Sequence, residues 1–430
     1  MNVQNQYNSK RLLMLGNNNS SCEIIEIAKR LGAYTVATDN IPDSPVKKIA
    51  DKSYSISTAD IDNLVNLAKS EKIDCVMAGA SDFNIEKALT VSEILGLSFY
   101  VNREQWEITS NKDSFKEICR KFNISVIDEF HLDGEFNKND LQKIDYPVII
   151  KPVDSSASRG ISVCKNENEL RGAYEKALSY SSRKKLVLEK YIEGDEVAVY
   201  FTIQDGYASL SAMCDRYTLR QGNGLSPLQL LYFFPSKHLA EFQKNDVQKF
   251  RDMFRHLKIN NGFLFVQAFF KDGRIIPYEL NCRIPGGETH KNIFAVNGVS
   301  YLEMLVRFSL SGEMSGWNLK SDDDPNCRKW TCKLSPILKP GRIKKITGLD
   351  AIRKLPEVFD IVQFHSAGDI IGDDINKLGT LKQLFANIFL VAEKKELLIN
   401  SIKRIQRELL VSDEKNQNML FDFDVDKFDV

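Results

Sequence analysis

The sequence predicts an α/β unit with a parallel sheet, followed by mixed α+β units. Three observations support this prediction. Residues 11–101 alternate short apolar runs with helical patterns, which is typical of a parallel sheet covered by helices. From residue 111 a charged helical segment leads into strands rich in aromatic and β-branched residues. Glycine-containing turns then punctuate the last third of the chain.

In the first third, apolar runs at 12–15, 35–38 and 75–78 predict strands, and residues 24–31 and 61–69 predict helices. Gly16 lies where a dinucleotide-binding fold has its first glycine, but the G-x-G-x-x-G pattern is missing. A nicotinamide-dependent dehydrogenase is therefore a weak alternative. Asp39, after the second strand, fits a turn residue better than a ribose ligand.

Changes of composition predict the domain limits. The acidic run Asp322 to Asp324 is followed by Pro325, which blocks helix continuation and marks a boundary. An amphipathic helix at 394–410 closes the last unit. The predicted domains are residues 1–110, residues 111–320 with two subdomains at about 111–195 and 196–320, and residues 321–430.

The composition excludes several classes of partner. The 430 residues include 58 basic and 58 acidic side chains, which cancel, so no overall field attracts nucleic acid or an anionic membrane. The eight cysteines form no C-x-x-C pairs and are expected to be free thiols in a reduced compartment. The apolar run at 12–16 is too short for a secretory signal or a membrane span. A cytoplasmic location is expected.

The most informative motif is Glu279-x-Asn281-x-Arg283. Alternate residues of a strand lie on one face, so these three polar side chains share a face while Leu280 and Cys282 point the other way. Carboxylate and amide oxygens are ligands for Mg²⁺, and a guanidinium can clamp phosphoryl oxygens. The motif predicts a metal–phosphate site. A half-exposed strand with a wet polar face is the alternative.

The preceding strand, at 263–270, contains one polar residue, Gln267, and turns back at Asp272-Gly273 as a hairpin. A plain two-residue turn would pair Gln267 with Tyr278. For Gln267 to face Glu279, the hairpin needs an odd loop or a bulge, and we expect an irregular turn. Pro277 fits an edge strand or a bulge.

Upstream, residues 146–152 form an apolar strand that ends in Lys151, and Pro152 keeps that lysine extended. The small residues 154–160 follow, and a strand resumes at 161–163. Backbone N–H groups and hydroxyls of such a loop can wrap phosphate oxygens. This arrangement predicts a flap over a nucleotide, unlike a P-loop, whose motif is absent. An ordinary flexible surface hairpin is the alternative.

The strand at 186–192 runs into a turn at Gly194. Its backbone groups can pair with the edge of an adenine, and Glu189 and Glu196 offer carboxylates to an exocyclic amine and to ribose hydroxyls. The segment is an adenosine pocket in outline. Solvated strand ends are the alternative for two such glutamates.

In order and spacing, these segments resemble the ATP-grasp superfamily. The matching residues are Lys112, Lys151-Pro152, Ser155 to Gly160, Glu189 to Ile192, Glu196, Gln267, Glu279, Asn281 and Arg283. The resemblance covers roughly residues 11–310. The last third looks like the C-terminal domain of ATP-dependent carboxylate–amine ligases of the L-amino-acid ligase type. The resemblance implies an ATP-grasp fold with an N-terminal Rossmann-like pre-ATP-grasp domain and a C-terminal α+β domain.

The resemblance also implies roles for individual residues. Arg283 and Lys151 would be catalytic. ATP would be bound by Lys112, Lys151, Ser155, Ser156, Ser158, Arg159, Gly160, Glu189, Lys190, Tyr191, Ile192 and Glu196. One or two Mg²⁺ ions, with Mn²⁺ as a substitute, would be bound by Gln267, Glu279 and Asn281. The substrate would contact Arg216, Gly286, Gly287 and His290.

One departure from the family pattern concerns the metal. Most members carry an acid where this chain has Gln267. An amide oxygen supplies no negative charge, so a second metal would be held more weakly. Carbamoyl-phosphate synthetases of this superfamily tolerate glutamine at the equivalent place, so activity remains the expectation.

The function implied is an ADP-forming ligase that converts a carboxylate to an acyl phosphate and condenses it with an amine. The partners would be small-molecule carboxylate and amine substrates, and a homodimer is the expected assembly. One alternative is ATP-driven carboxylation or carbamoyl transfer from bicarbonate, and another is a nucleotide-binding module without turnover. Side chains near Asp215 to Tyr217 and in the glycine-containing loop after Arg220 leave the substrate undefined.

Overall fold

The computed structural model of the protein describes residues 6–153, 160–219, 228–372 and 381–429. The strands form an amino-terminal sheet of four strands, a second sheet of four, a large sheet of eight and two short ribbons. Helices cover these sheets, so the predicted α/β and α+β fold class is confirmed.

The amino-terminal sheet is parallel, with strand order β3-β2-β1-β4. Its strands are β1 (Arg11–Leu15), β2 (Tyr34–Thr38), β3 (Lys52–Tyr54) and β4 (Cys75–Ala78). Its helices are α1 (Asn19–Arg30), α2 (Pro45–Ile49), α3 (Ile61–Ser70) and α4 (Asp82–Leu95). The strands and helices predicted from the alternating pattern of residues 11–101 are confirmed.

Helix caps position the edge of this sheet. The Asn18 side chain accepts a hydrogen bond from the backbone N–H of Ser21 at 3.0 Å and starts α1. Ser81 caps α4, which ends at Gly96 with a φ of +66°. Since β4 ends at Ala78, the first turn of α4 lies just beyond the carboxyl end of an edge strand of this sheet. Asp82 is the first residue of that helix.

The second sheet has the order β5-β8-β6-β7. Its strands are β5 (Glu129–Phe130), β6 (Val148–Pro152), β7 (Ser162–Cys164) and β8 (Leu186–Lys190). The helices in this stretch of the chain are α5 (Arg103–Ser110), α6 (Lys112–Lys121), α7 (Lys138–Leu141) and α8 (Glu167–Ser179). The predicted charged helix and the strands on both sides of the small-residue loop are confirmed.

The large sheet is antiparallel, with the order β13-β12-β9-β10-β11-β14-β19-β17. Its strands are β9 (Asp195–Gln204), β10 (Tyr207–Leu219), β11 (Leu228–Phe234), β12 (Gly262–Lys271), β13 (Arg274–Asn281), β14 (Trp330–Leu334), β17 (Val358–Gln363) and β19 (Ala386–Ala392). Strands from both sides of residue 320 therefore share one sheet. The domain limits themselves remain predictions.

Helices pack on both faces of the large sheet. They are α9 (Leu239–Asn245), α10 (Val247–His256), α11 (His290–Asn297) and α12 (Tyr301–Ser311). On one face, the rings of Phe201 and Phe250 are 5.8 Å apart. On the other face, Phe263 and Tyr301 are 5.4 Å apart. Two apolar cores result, and they hold β12 and β13 rigidly between them.

The carboxyl-terminal elements complete the chain. The short strands are β15 (Gly341–Arg342), paired with β18 (Ile370–Ile371), and β16 (Lys345–Thr347), paired with β20 (Leu410–Ser412). The helices are α13 (Leu319–Asp322), α14 (Leu349–Ile352) and α15 (Lys395–Glu408), with 3₁₀ turns at Leu381–Gln383 and Val425–Lys427. The closing amphipathic helix predicted at 394–410 is confirmed.

Within the described ranges, no helix by itself is both long enough and apolar enough to cross a membrane. Helices α11 and α12 meet the length and composition criteria only when taken together, and they meet at a bend of 104°.

Candidate active site

The hairpin of β12 and β13 pairs Gln267 directly with Glu279. The next pair is Ala268 with Pro277, which leaves Tyr278 as an extra residue in β13. Directly paired residues project to the same face, so the amide and the carboxylate lie side by side. The register that a shared metal site requires is therefore present.

The irregular turn predicted for this hairpin is wrong. Lys271 pairs with Arg274, and both intervening residues, Asp272 and Gly273, have positive φ values of 51° and 73°. This is the regular two-residue turn that matches the twist of a hairpin. The extra residue lies instead beside Pro277, because proline cannot donate a hydrogen bond to the ladder and a bulge accommodates it there.

A small cavity of about 140 Å³ lies beside the hairpin. Glu279 and Asn281 line it from β13, and Lys112 lines it from the first turn of α6. Three residues predicted to bind the metal and ATP are thus brought together. Leu280 and Cys282, which the alternation places on the other face of the strand, also border this cavity and are buried at 2% and 1% exposure.

Arg283 follows β13 and is held by the amino-terminal part of the chain. Its Nε and Nη2 donate to the two carboxylate oxygens of Asp82, the latter at 3.1 Å. The guanidinium also lies over the ring of Phe265, at 5.3 Å. Asp82 lines the small cavity, whereas Arg283 lines a much larger one, so the two cavities adjoin.

The donor set fits Mg²⁺. Glu279 offers a carboxylate with no salt bridge among the described residues, and Asn281 offers an amide oxygen. The buried Nδ2 of Asn281 has no hydrogen-bond partner there and, as a donor, suits a phosphoryl oxygen rather than the metal. Mg²⁺ takes oxygen ligands and commonly keeps several waters, so one carboxylate and two amides are compatible with it. The described residues contain no cluster of three His, Cys, Asp or Glu side chains, as expected from a set with one carboxylate.

A second group of charges lies between α6 and the small sheet. We call Lys116, Glu129, Lys151 and Glu189 the lysine cluster. Lys116 Nζ donates to Glu189 Oε1 at 2.6 Å and also to Glu129, and Lys151 Nζ donates to Glu189 Oε2. Glu189 is 5% exposed. Burial by itself would raise the pKa of Glu189, but Lys151 and Lys116 outweigh burial and lower it.

Lys151 and Glu189 bind each other within the lysine cluster. In the part of the chain that the structure describes, neither residue lines either cavity. Their predicted roles, phosphate binding for Lys151 and adenine binding for Glu189, remain predictions. In this structure each oxygen of the Glu189 carboxylate already accepts a hydrogen bond from an ammonium group.

The flap residues Ser155, Ser156, Ser158 and Arg159 lie outside the described residues. Gly160, which ends the loop, has a φ of +77°, and a Cβ there would lie 2.8 Å from both Pro152 Cγ and Tyr180 Cβ. Glycine is therefore required at this hairpin end on steric and conformational grounds.

The predicted adenosine segment is partly used by the protein itself. The N–H groups of Lys190 and Tyr191 donate to the carbonyls of Asp128 and Pro147, each at 2.9 Å. The Lys190 ammonium binds Asp145 at 2.7 Å. These two backbone donors are therefore not free for an adenine edge, and Ile192 follows them at half-burial.

Glu196 and Arg216, predicted to bind ribose and substrate, face each other on neighbouring strands at 3.5 Å. Arg216 also donates to the Tyr278 hydroxyl at 2.6 Å, and its buried Nε has no partner among the described residues. Arg216 is not part of the described wall of the large cavity. The ion pair joins the two side chains on one face of the sheet, and neither residue lines the small or the large cavity.

The large cavity has a volume of about 660 Å³. Its polar walls come from Gln267 and Arg283, from the loop Gly286 to Glu288, and from Lys333 on β14. Gly286 and Gly287 therefore lie where a substrate-binding loop was predicted. All three thirds of the chain contribute to the wall, including Asn18 and Ser20 from the first turn of α1.

His290 was predicted to touch a substrate carboxylate, and the structure places it elsewhere. It is buried at 7% exposure, and its Nε2 is 2.6 Å from Glu23 of α1. Burial would raise the pKa of Glu23, but His290 and Lys291 lower it to about 2. His290 thus joins two parts of the fold and does not line the cavity as described.

Sequence reasoning missed four polar residues at these sites: Asp82, Lys116, Glu288 and Lys333. Lys116 lies four residues after Lys112 on the same helix, so helical periodicity could have indicated it. Glu288 belongs to the segment after Arg283 that was already identified. Asp82 and Lys333 carry no local signal, because their partners lie far away in the sequence.

A family model described as an ATP-grasp domain matches residues 144–291. The match includes the lysine Lys151, the hairpin with Gln267 and Glu279, and Arg283. The chain contains an ATP-grasp domain. The predicted superfamily is thereby confirmed.

The chain is 30% identical over 204 residues to a formate-dependent phosphoribosylglycinamide formyltransferase of Prochlorococcus marinus strain AS9601. That alignment covers 46% of this chain and 51% of the relative. The chain therefore matches about half the length of that relative.

Solved structures share the whole fold of the ATP-grasp protein at low identity. A phosphoribosylglycinamide synthetase from Anaerococcus prevotii superposes with a TM-score of 0.76 and 19% identity, covering 94% of this chain and 100% of the other. An L-amino acid ligase from Bacillus licheniformis has a TM-score of 0.74, 20% identity and coverages of 94% and 99%. The biotin carboxylase domain of Hydrogenobacter thermophilus 2-oxoglutarate carboxylase was solved with MgADP and bicarbonate. It has a TM-score of 0.72 and 20% identity, covering 94% of this chain and 90% of the other.

Proposed function

We propose that this ATP-grasp protein is an ADP-forming ligase that activates a small carboxylate as an acyl phosphate and joins it to an amine. The observation that carries the proposal is the bulge at Tyr278, which sets Gln267 opposite Glu279 while Arg283 enters the adjoining large cavity. Metal-compatible oxygens and a guanidinium thus meet at the border of two cavities. That border is where a nucleotide and a second substrate can approach each other.

The chemical difficulty is that a carboxylate is a poor acyl donor. In the proposed first step a carboxylate oxygen attacks the γ-phosphorus of ATP, a new P–O bond forms, and the bond to the β-phosphate oxygen breaks to release ADP. Both reactants are anionic, so cationic side chains must offset their repulsion. Arg283 supplies such a charge in the large cavity, and Lys112 supplies one in the small cavity.

In the second step the amine nitrogen attacks the acyl carbon, and the carbon–oxygen bond to phosphate breaks. Phosphate leaves with its electron pair, and the amine proton is released. Arg283 is proposed to stabilise the charge that develops at the tetrahedral centre. Bound Mg²⁺ would neutralise charge on the transferred phosphoryl group, with Glu279, Gln267 and Asn281 as its protein ligands.

The relatives favour two particular acids. The formyltransferase of Prochlorococcus marinus is formate-dependent, and the carboxylase domain binds bicarbonate. Gln267 is neutral where most superfamily members carry an acid, and glutamine at this place also occurs among carbamoyl-phosphate synthetases that use bicarbonate. Bicarbonate activation is therefore the second candidate. An ATP-binding module without turnover is the third.

The remaining attributes belong to the same proposal. ATP and Mg²⁺ are the proposed nucleotide and metal, supported by the family match and by the MgADP in a solved relative. Mn²⁺ as a substitute and a homodimer as the assembly are expectations. The eight cysteines are all free thiols, which supports the proposed cytoplasmic location.

The test is a screen for ADP and phosphate release with ATP and Mg²⁺. Formate, bicarbonate and single amino acids serve as acids, each with and without a panel of amines. We expect release that requires one organic acid and one amine together. Release with bicarbonate alone would favour the second candidate, and ATP binding without release under any pairing would favour the third.

A further inference from the structure

Lys333 is a buried cation that forms no salt bridge with the residues the structure describes. It lies in β14, is 2% exposed and lines the large cavity. Within the described ranges, neither a hydrogen bond nor a salt bridge joins its ammonium to another side chain. Its contact is with the face of the Tyr232 ring, with Nζ 4.2 Å from the centroid.

A buried ammonium in this position lowers the stability of the folded protein. Burial, opposed by the charge of Glu288 and aided by that of Arg216, lowers the pKa of Lys333 to about 8. The charged or titratable groups that face it are Glu288 from the loop after β13, Arg216 and Cys214 from β10, and Tyr232 from β11. An unpaired buried charge is tolerated when a ligand supplies its partner.

The loop of the cavity is shaped around this ammonium. A Cβ on Gly287 would lie 2.6 Å from Lys333 Nζ, so only glycine leaves the side chain in its place. Gly287 is four residues after Arg283, and both residues line the large cavity. The loop therefore brings the ammonium of a carboxyl-terminal strand to the chamber that holds the Arg283 guanidinium.

The neighbouring carboxylate decides which anion fits. Glu288 is 2% exposed, and its Oε2 has no partner in the described part of the chain. It lies close enough to Lys333 to raise the lysine's pKa. A polyphosphate would be repelled by this carboxylate more strongly than a singly charged group, because repulsion grows with charge.

We propose that Lys333 binds the carboxylate of the acid substrate in the large cavity. Gly287, which has no side chain, leaves space for the Lys333 ammonium. This inference rests on the proposed ligase function. It assigns a specificity-determining role to a residue of the last third of the chain, whereas the nucleotide and metal residues belong to earlier segments. Lys333 would hold the acid beside Arg283. The unpaired charge would lower the stability of the protein when no acid is bound.

The first test compares Lys333→Met with Lys329→Met, an exposed lysine four residues earlier. The acid is whichever of formate, bicarbonate and L-alanine supports ADP release. We expect Lys333→Met to raise KM for the acid about ten- to a hundredfold, as for a lost hydrogen bond to a charged group, with KM for ATP within about twofold. Its Tm should not fall, because the variant removes an unpaired buried charge. An unchanged KM for the acid, or a large fall in Tm, would overturn the inference.

The second test does not depend on turnover. Lysines of the intact protein are acetylated with sulfo-N-hydroxysuccinimide acetate at pH 8, and the modified peptides are quantified by mass spectrometry. Formate, bicarbonate or L-alanine should slow acetylation of Lys333 and leave Lys329 unaffected, whereas ATP alone should not slow it. Failure of all three acids to protect Lys333, or a Lys333 that never reacts, would overturn the inference.

The two tests separate this inference from the proposed function. Protection of Lys333 without any ADP release would support the binding site and contradict the ligase activity. ADP release would support the ligase activity, and if the acids then fail to protect Lys333 and Lys333→Met leaves KM for the acid unchanged, the binding site is contradicted.

Discussion

The lysine cluster and the wall of the large cavity treat buried charge in opposite ways. In the cluster, the Glu189 carboxylate accepts from two ammonium groups, and Lys116 also reaches Glu129. In the cavity wall, Glu288 Oε2 has no hydrogen-bond partner among the described residues, and the contact of the Lys333 ammonium is with the Tyr232 ring. The first group is satisfied by the fold, whereas the second leaves its charges open.

This difference suggests what each region is for. Paired buried charges hold elements together, and removing one partner leaves the other uncompensated. Unpaired charges in a cavity are available to a ligand, and their cost to stability is typical of functional sites. We therefore expect variants of the cluster to affect mainly stability, and variants of the cavities to affect mainly activity.

The largest effect is expected for Arg283→Met. Its partner Asp82 is exposed, so the ion pair adds little stability, whereas a charge partner of the transition state is lost. Ligation should slow by about two orders of magnitude, equivalent to about 2.7 kcal/mol in the barrier. Arg274→Met, on an exposed arginine of the same hairpin, is the matched control. Near-normal turnover would refute the role given to Arg283.

Glu189→Gln tests the opposite side of the comparison. It leaves the Lys116 and Lys151 ammonium groups without their shared counter-charge. The free energy of unfolding should fall by about 2 kcal/mol, as for hydrogen bonds to charged groups. Chemical denaturation measures this, with the exposed Glu193→Gln as control. A stability equal to that of the unaltered protein would mean that the cluster does not support the fold.

Glu279→Gln should act through the metal. The variant keeps the side-chain shape and an oxygen ligand but removes the one carboxylate of the proposed set. We expect half-maximal activity to require about tenfold more Mg²⁺, with partial recovery when Mg²⁺ is raised. A titration of activity against Mg²⁺ checks this. Activity that no Mg²⁺ concentration restores would count against metal ligation.

The smallest effects are expected in the pH dependence of Tm. Glu189 has a pKa below its usual 4.5, so its stabilisation is present above that pH and lost as the pH falls below it. Lys333 has a pKa of about 8 instead of 10.5, so the unfolded chain binds more protons between these values and stability rises with pH there. In a plot of Tm against pH, Glu189→Gln should weaken the dependence of Tm on pH on the acid side. Lys333→Met should weaken it on the alkaline side. The same dependence in both variants would remove the distinction.

The sequence was sufficient for features that depend on local periodicity. The alternation along residues 279–283 predicted which side chains share a face, and Pro277 indicated the bulge that sets Gln267 against Glu279. The same reasoning placed the extra residue in the turn, because the sequence does not show that Asp272 and Gly273 both adopt positive φ.

Contacts between distant segments could not be predicted in this way. His290 was interpreted as a substrate residue because its loop follows Arg283, but its partner Glu23 comes from the first helix. Lys333 follows no motif, and its position depends on the pairing of β14 with β11 and on the space beside Gly287. Such features arise from tertiary packing, which a single sequence does not display.

The pairing of β14 with β11 has a practical consequence for dissecting this protein. Strand β11 is hydrogen-bonded to β14 through the pairs from Leu231 with Leu334 to Phe234 with Thr331. A fragment ending near residue 320 lacks β14 and would expose the unpaired backbone N–H and C=O groups of β11. An exposed edge strand can pair with strands of other molecules, so we expect the truncated protein to aggregate. Chimeras between relatives should exchange both strands of this seam together.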